Sequence, residues 1–225
     1  MTSAANPSSP LGTFMSIGCL LCWLAAYIVI IKRGFQDKSY GMPAALVGPN
    51  LAWEGLLIFY FPAPGAAWKG GYVLWLIADL LILYTCLRWG PADFTNRFVR
   101  RWFYPLFAVG VFLGLYAEWA FMTVYNDIYG VILGWIMAIT NGGLMIAMLL
   151  RRGEVRGQSV YIALFILLGN TFGYFQNLLL PMPPPPFPVA LVHPLAVCAV
   201  TLNALYVLMI WDQCRQQGID PWRRL

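Results

Sequence analysis

Long runs of apolar residues, broken by short polar segments, extend along almost the whole chain. A helix needs about 20 mostly apolar residues to cross a bilayer, and seven of these runs approach that length. They predict seven helices, called predicted helices one to seven, over Leu11–Ile31, Ala44–Phe61, Tyr72–Leu87, Trp102–Tyr125, Ile128–Leu150, Val160–Leu180 and Val189–Trp211. The pattern therefore predicts an all-α integral membrane bundle of seven transmembrane helices.

The composition supports this prediction and limits the domain organisation. The chain is 60% hydrophobic and only 10% charged, whereas soluble domains carry about 25% charged residues. Seven spans use most of the 225 residues, so we expect one transmembrane domain over 1–225 with a short disordered tail over 1–10. The tail lacks the basic start of a secretory signal, and we expect the first helix to stay in the mature protein. The proline-rich run over 181–188 predicts a stiff loop between predicted helices six and seven.

The basic residues predict the orientation of the bundle. Only Lys69, of the 14 Lys and Arg residues, falls in a loop on the opposite side from the others. Since basic loops stay in the cytosol, the N-terminus should face outside or the lumen and the C-terminus the cytosol. The net charge of +5 then reflects topology, and no nucleic-acid partner is expected. The membrane could be a bacterial plasma membrane or the endoplasmic reticulum, and the oligomeric state stays open.

Three carboxyl groups fall inside predicted spans. Glu54 lies near the middle of predicted helix two, Asp79 in helix three, and Glu118 towards the outer end of helix four. An ionised side chain at the bilayer centre costs about 2.5–3.5 kcal/mol, and no Lys, Arg or His lies deep enough to pair with them. We therefore expect neutral carboxyl groups, which can act as general acids. For Asp79 and Glu118, interhelical hydrogen bonding explains the position equally well.

Polar and aromatic residues accompany these acids and predict a pocket in the middle and outer half of the bundle. Asn50 lies one turn before Glu54, and Trp75 one turn before Asp79, so each pair shares a helix face. The candidate pocket residues are Asn50, Trp53, Trp75, Tyr116, Trp119, Asn170, Tyr174, Asn177 and Tyr206, together with Asn203. Taken singly, each asparagine has a more ordinary explanation as an interhelical hydrogen-bonding residue.

Several kinds of chemistry lack their sequence signals. There is no HExxH, Walker, GxGxxG or GxSxG motif. Cys19 and Cys22 form a CxxC without a second Cys or His pair, and Asp127 lacks the acidic neighbours that hold Mg²⁺ on a diphosphate. We therefore expect no metal site and no cofactor. A metal-free acid in an aromatic pocket suits carbocation chemistry, because the acid protonates an alkene or epoxide and ring faces stabilise the cation.

Several segments resemble a known family. They are Asp37-Lys38-Ser39-Tyr40-Gly41-Met42-Pro43, Asn50-Leu51-Ala52-Trp53-Glu54, Trp75-Leu76-Ile77-Ala78-Asp79, Ala117-Glu118-Trp119-Ala120-Phe121 and Leu205-Tyr206-Val207. Together they resemble the membrane-bound terpene cyclases of fungal meroterpenoid and indole-diterpene biosynthesis, of the pyripyropene and paxilline type, with their bacterial relatives that cyclise prenylated indoles. The segment ending at Glu54 is the most specific of them.

The resemblance implies a protonation-initiated, metal-independent cyclisation of a linear prenyl chain attached to an aromatic or polyketide head group. It implies that Glu54 acts as, or supports, the general acid. The family pattern also implies an acid before the Tyr-Val pair of the last helix, where this chain has Asn203, with Asp212 nine residues later. Asparagine cannot donate the proton, so the acid would be Glu54 alone, or Glu54 with Asp79 or Glu118. An epoxide and a plain alkene both stay open as substrates.

Two other functions fit a seven-helix membrane protein. A small transporter or lipid-binding protein could use the buried carboxyl groups to couple protons or cations, although the chain shows no convincing internal repeat of the kind common in transporters. A signalling receptor is the least favoured, because the loops and tail are too short to engage a large cytosolic partner. The leading interpretation is a terpene cyclase whose partners are a prenylated small molecule, with an indole or other aromatic head group, and the lipid bilayer.

Overall fold

The computed structural model describes residues 10–63, 65–179 and 189–225. Seven long helices follow one another: α1 Pro10–Gln36, α2 Ala44–Phe59, α3 Ala66–Trp89, α4 Phe103–Val124, α5 Val131–Arg152, α6 Val160–Leu179 and α7 Val189–Gln216. Three short helical pieces, Gly90–Asp93, Arg97–Arg101 and Pro221–Arg223, lie outside them. The described ranges contain no strand, which confirms the all-α prediction. The predicted tail, apart from Pro10, and the proline-rich run over 181–188 lie outside the described residues.

Within the described residues, six helices are long and apolar enough to cross a membrane, namely α1 and α3 to α7. The remaining helix, α2, is apolar but only 16 residues long, because it ends at Phe59 and not at Phe61 as predicted. Helix α3 begins at Ala66, six residues before the predicted start. Its glycines looked like loop residues, but Gly71 packs so closely on α1 that an added Cβ would lie 2.4 Å from Leu20. The seven-span topology and its orientation remain predictions.

The helices form a ring in the order α4, α2, α3, α1, α6, α7, α5, and α5 returns to α4. The contact between α1 and α6 is the most extensive, and that between α4 and α5 is the thinnest. Helices α1 and α6 approach closely at small residues, since a Cβ on Gly169 would lie 2.8 Å from the Trp23 ring. This ring leaves space between α1, α2, α3, α5 and α6, where the candidate site lies.

Asp93 ties together one end of the ring, called here the basic end, where α1 ends and α2 begins. Its carboxylate accepts a hydrogen bond from the Tyr40 hydroxyl at 2.7 Å. It also pairs with Arg151 at 2.5 Å, Arg152 at 3.1 Å and Arg156 at 3.2 Å. The Arg152 guanidinium lies 4.4 Å from the centre of the Tyr40 ring. The ends of α3 and α5 are therefore joined to the connection between α1 and α2.

A second carboxylate, Asp37, anchors the end of the chain to the same face. It accepts hydrogen bonds from the Gly157 amide at 2.7 Å and from Arg224 at 2.5 Å, and it pairs with Arg33. Gly157 has a φ of +74°, and a Cβ there would lie 2.5 Å from the Tyr40 carbonyl oxygen. Only glycine fits this combination of left-handed backbone and close approach. The segment that begins at Asp37 carries part of the family resemblance. Its contacts join the end of α1 to Gly157 and to Arg224 near the end of the chain.

Candidate active site

A cavity of about 150 Å³ lies inside the ring, away from the basic end. Five helices and the residues just before α5 enclose it. Its lining comprises Cys19, Trp23 and Tyr27 on α1; Asn50, Trp53 and Glu54 on α2; Trp68, Tyr72 and Trp75 on α3; Tyr129 and Gly130 before α5; Val131, Gly134, Trp135, Met137, Ala138 and Asn141 on α5; and Asn170, Gly173, Gln176 and Asn177 on α6. Aromatic residues form the largest group in this lining, and six residues carry a carboxyl or amide group; many small-molecule sites combine apolar and polar groups in this way.

The acidic part of the cavity is built around Glu54. This side chain is 1% exposed, and its Oε2 has no hydrogen-bond partner in the described part of the chain. One turn earlier on α2, Asn50 donates from Nδ2 to the Tyr27 hydroxyl at 2.9 Å. Tyr27 lies close enough to Glu54 to interact with it electrostatically. A tyrosine from α1 and an asparagine from α2 therefore hold the surroundings of the glutamate in place.

Asp79 lies behind Glu54 and does not line the cavity. It is fully buried, and among the described residues neither of its carboxyl oxygens has a hydrogen-bond partner. It lies close to Glu54, Asn50 and Tyr27. Two carboxyl groups this close in a low-dielectric interior strongly disfavour the state in which both are ionised. Glu54 thus faces the cavity, while Asp79 acts on it from within the protein.

Aromatic rings from α2 and α3 form one wall. The ring centres of Trp53 and Tyr72 are 5.5 Å apart, and those of Trp53 and Trp75 are 6.4 Å apart in a stacked pair. The Trp53 indole N–H donates to the Gly130 carbonyl at 3.3 Å, which fixes the ring at the start of α5. The faces of such rings attract positive charge, so this wall is suited to a cationic group.

The opposite wall, from α5 and α6, is more polar. Asn141 on α5 and Asn170 on α6 both line the cavity. Asn141 Oδ1 and Asn170 Nδ2 are buried without hydrogen-bond partners in the described part of the chain. One is an acceptor and the other a donor. This wall can therefore bind a polar substituent by supplying hydrogen bonds of both kinds.

The segment before α5 is organised by Asp127, which was considered above as a possible Mg²⁺ ligand. Its carboxylate accepts hydrogen bonds from the Val131 amide at 2.8 Å and the Leu133 amide at 2.9 Å. It satisfies amides at the helix start that would otherwise lack partners. No group of three or more metal-ligating side chains occurs within residues 10–63, 65–179 and 189–225. Asp127 thus caps α5 and holds the cavity rim.

The structure brings together six of the residues that the sequence suggested. Asn50, Trp53, Glu54, Trp75, Asn170 and Asn177 all line the one cavity. Residues from α4 do not join them. Glu118 is buried elsewhere at 6% exposure, while Tyr116 and Trp119 are 60% and 36% exposed. Successive residues of a helix point about 100° apart, so burying Glu118 turns its aromatic neighbours away from the interior.

Three further candidates lie outside the cavity for similar reasons. Asn203 is buried between α7 and α5, where a Cβ on Gly142 would lie 3.2 Å from its Oδ1. Tyr206 is fully buried on the same helix. Tyr174 hydrogen-bonds His193 across α6 and α7 and contacts Trp135 edge to face, with ring centres 6.5 Å apart. None of these three lines the cavity.

The sequence analysis did not single out several lining residues, above all Tyr27. This tyrosine lies in a long apolar helix without a polar stripe, so nothing in the sequence marks it. Trp23, Trp68, Tyr72 and Trp135 looked like ordinary interfacial or core aromatics. Their grouping depends on the helix order in the ring. For Asn141, the only available signal was a polar side chain within predicted helix five.

Comparisons with known proteins agree with the earlier resemblance. The profile of the Pyr4-like transmembrane terpene cyclases matches residues 4–180. The chain is 32% identical over 162 residues to the Pyr4-family terpene cyclase mfmH of Annulohypoxylon moriforme, covering 68% of this chain and 64% of that protein. It is 27% identical over 154 residues to terpene cyclase olcD of Penicillium canescens, covering 66% and 61%.

A third relative is terpene cyclase pyr4 of Aspergillus fumigatus, 28% identical over 161 residues, with 68% of this chain and 64% of that protein covered. The chain thus spans a little over three fifths of the length of these relatives. No solved structure matches it.

Proposed function

This chain belongs to the Pyr4-like transmembrane terpene cyclases, and from that premise we propose that it cyclises a prenyl chain by protonation from Glu54. The observation that supports this most is the position of Glu54. Of the three carboxyl groups in the predicted spans, it alone lines the aromatic cavity. The cavity therefore places an acid beside walls that suit a hydrocarbon and the cation formed from it.

The proposed reaction begins with proton transfer from the Glu54 carboxyl group. With an alkene, the proton forms a new C–H bond and leaves a tertiary cation. With an epoxide, the proton goes to the oxygen as the C–O bond breaks. The cation is attacked by the next double bond of the chain to close a ring, and a final proton loss makes the product an isomer of the substrate. The rings of Trp53, Tyr72 and Trp75 would stabilise the intermediate cations.

The groups behind Glu54 would keep it in the donating form. Asp79 disfavours ionisation of Glu54, because two ionised carboxyl groups this close in a low-dielectric interior repel each other strongly. Tyr27 and Asn50 would hold the carboxyl group towards the cavity. We assign Tyr27 as a positioning residue, because its hydroxyl receives the Asn50 hydrogen bond and interacts with Glu54.

In the proposed reaction the last helix, α7, supplies no second acid. Asn203 packs against Gly142 of α5 and does not line the cavity, and Asp212 is exposed and accepts a hydrogen bond from Gln216 at 2.6 Å. Protonation would then depend on Glu54, with Asp79 as its buried partner. An epoxide needs a weaker acid than an alkene, so a single carboxyl group favours the epoxide as substrate.

The size of the cavity constrains how a substrate would bind. About 150 Å³ is less than the roughly 300–1,000 Å³ of typical ligand pockets. The reacting end of the prenyl chain would fit inside, beside Glu54. The head group would lie towards Trp68, Tyr129 and Asn177, which are partly exposed and offer rings and an amide. An aromatic or polyketide head group suits these partners.

The experiment that tests the function is expression of the chain in a host without such enzymes. Membranes are incubated with farnesylated and geranylgeranylated indoles and with their terminal epoxides. The proposal predicts a product of unchanged mass and altered retention time, formed more readily from the epoxide. Unchanged substrates throughout the panel, combined with proton-coupled uptake into proteoliposomes, would instead favour a transporter.

A further inference from the structure

Three arginines between α3 and α4 have no partner in the described part of the chain. Arg97, Arg100 and Arg101 lie on the short helix Arg97–Arg101 and are exposed. Within the described residues none of them makes an ion pair or a side-chain hydrogen bond. Phe98 and Trp102 beside them are 63% and 46% exposed. We call these five residues the linker patch.

The arginines at and just after the end of α5 differ from these three. Arg151, Arg152 and Arg156 each form an ion pair with Asp93, so they help to join the helix ends at the basic end. The short helix is well formed, since Asn96 Oδ1 accepts hydrogen bonds from the Phe98 amide at 2.9 Å and the Val99 amide at 3.2 Å. The chain therefore presents three uncompensated guanidinium groups on an ordered helix, next to aromatic residues of the kind found at membrane surfaces.

An apolar cavity of about 280 Å³ opens beside this helix, between the first halves of α2 and α4. It is separate from the candidate active site. Its lining includes Ala45 and Pro49 of α2, Phe94 and Val99 of the linker, and Phe107 and Gly110 of α4. A Cβ added to Gly110 would meet nothing within 4 Å. The linker therefore supplies both the unpaired charges and part of the apolar lining.

We propose that the linker patch and this cavity bind one anionic phospholipid. Its phosphate would lie against Arg97, Arg100 and Arg101, since guanidinium groups bind phosphate with paired hydrogen bonds. One acyl chain would occupy the cavity between α2 and α4. Charge complementarity identifies the ligand class, because three unpaired cations beside an apolar cavity match an anionic head group joined to a hydrocarbon chain. This inference is independent of the proposed cyclase reaction.

The first test compares head groups on the purified, delipidated chain in detergent. Native mass spectrometry is used to titrate phosphatidylglycerol and phosphatidylcholine with the same acyl chains. We expect phosphatidylglycerol to bind at least about tenfold more tightly. The triple variant Arg97→Gln, Arg100→Gln, Arg101→Gln should lose that preference. The triple variant Lys32→Gln, Arg215→Gln, Arg223→Gln removes the same charge from the same end and should keep it. Equal losses in both variants would overturn the proposal in favour of general electrostatic attraction.

The second test examines the acyl chain. Gly110→Leu fills the cavity and should weaken phosphatidylglycerol binding several-fold, whereas Gly143→Leu, at another open position on α5, should not. Soluble glycerophosphate and inorganic phosphate serve as competitors. Displacement of the lipid by either at equal concentration, with no effect of Gly110→Leu, would show an anion site only and overturn the proposal. A dimer that buries the linker patch in lipid-free detergent would overturn it as well.

Discussion

Replacing Asp93 with asparagine should destabilise the fold far more than replacing an exposed carboxylate. The Asp93 side chain is 5% exposed and that of Arg152 is 2% exposed, so their ion pair is buried. Breaking a buried pair by removing one partner costs about 3–5 kcal/mol. Arg151 and Arg156 are 42% and 44% exposed, and pairs of that kind contribute about 0–1 kcal/mol each. The free energy of unfolding should therefore fall by about 3 kcal/mol or more.

The assay is thermal unfolding of purified protein in one detergent, followed by intrinsic tryptophan fluorescence. In chains of this length each kcal/mol shifts Tm by about 2–4 °C, so Asp93→Asn should lower Tm by about 6 °C or more. The control is Asp220→Asn, because Asp220 pairs with Arg223 at a site where the two side chains are 49% and 88% exposed. Equal shifts of about 1–2 °C for both variants would refute the view that Asp93 joins the helix ends.

Three further predictions concern the candidate site. Tyr27→Phe removes the acceptor for Asn50 and should slow product formation about three- to tenfold, the effect of one hydrogen bond. Single-turnover rates measure this, Tyr116→Phe, at an exposed position outside the cavity, is the control, and equal rates for both variants would contradict the role of Tyr27. Asp127→Ala removes the cap of α5 and should cost about 1–2 kcal/mol, seen as a lower Tm. An unchanged Tm would show that the cap is dispensable. Trp53→Leu removes a ring beside the cation and should slow cyclisation up to about 30-fold, from the roughly 0.5–2 kcal/mol of a cation–π contact. Product analysis should show partly cyclised compounds, and a wild-type product pattern would exclude a role for this ring.

The helical architecture was predictable because a bilayer admits few alternatives. Backbone groups in hydrocarbon must pair within the segment, so long apolar runs predict helices. The ends were less predictable, because packing decides them. Gly71 continues α3 in a stretch that looked like a loop, and α2 ends at Phe59 where the chain turns towards α3.

The site was predictable where residues lie within one helical turn of Glu54 on α2. Asn50 and Trp53 lie beside it on α2, and both line the cavity. Positions on α4 were not predictable, since apart from Glu118 that helix is mostly apolar on every side and its sequence does not show which side faces inward. Only the structure shows that burying Glu118 leaves Tyr116 exposed.

The segment beginning at Asp37 illustrates a different limit. Its residue pattern contributed to the family resemblance, but the pattern did not indicate what the segment does in the structure. Its partners Gly157 and Arg224 lie 120 and 187 residues away along the chain. Local patterns cannot reveal contacts over such separations. The tertiary structure shows that this segment joins distant parts of the chain at the basic end.

The most direct test of the central proposal is the single-turnover rate of Glu54→Gln compared with Glu118→Gln. Both changes replace a buried carboxyl group by an amide of the same shape, but only Glu54 lines the cavity. General acid catalysis contributes about 10²- to 10⁴-fold to a rate. With equal amounts of folded protein in membranes, Glu54→Gln should cyclise the substrate at least about 100-fold more slowly, while Glu118→Gln stays within about tenfold of the unmodified protein. Cyclisation by Glu54→Gln at the unmodified rate would contradict the assignment of Glu54 as the proton donor.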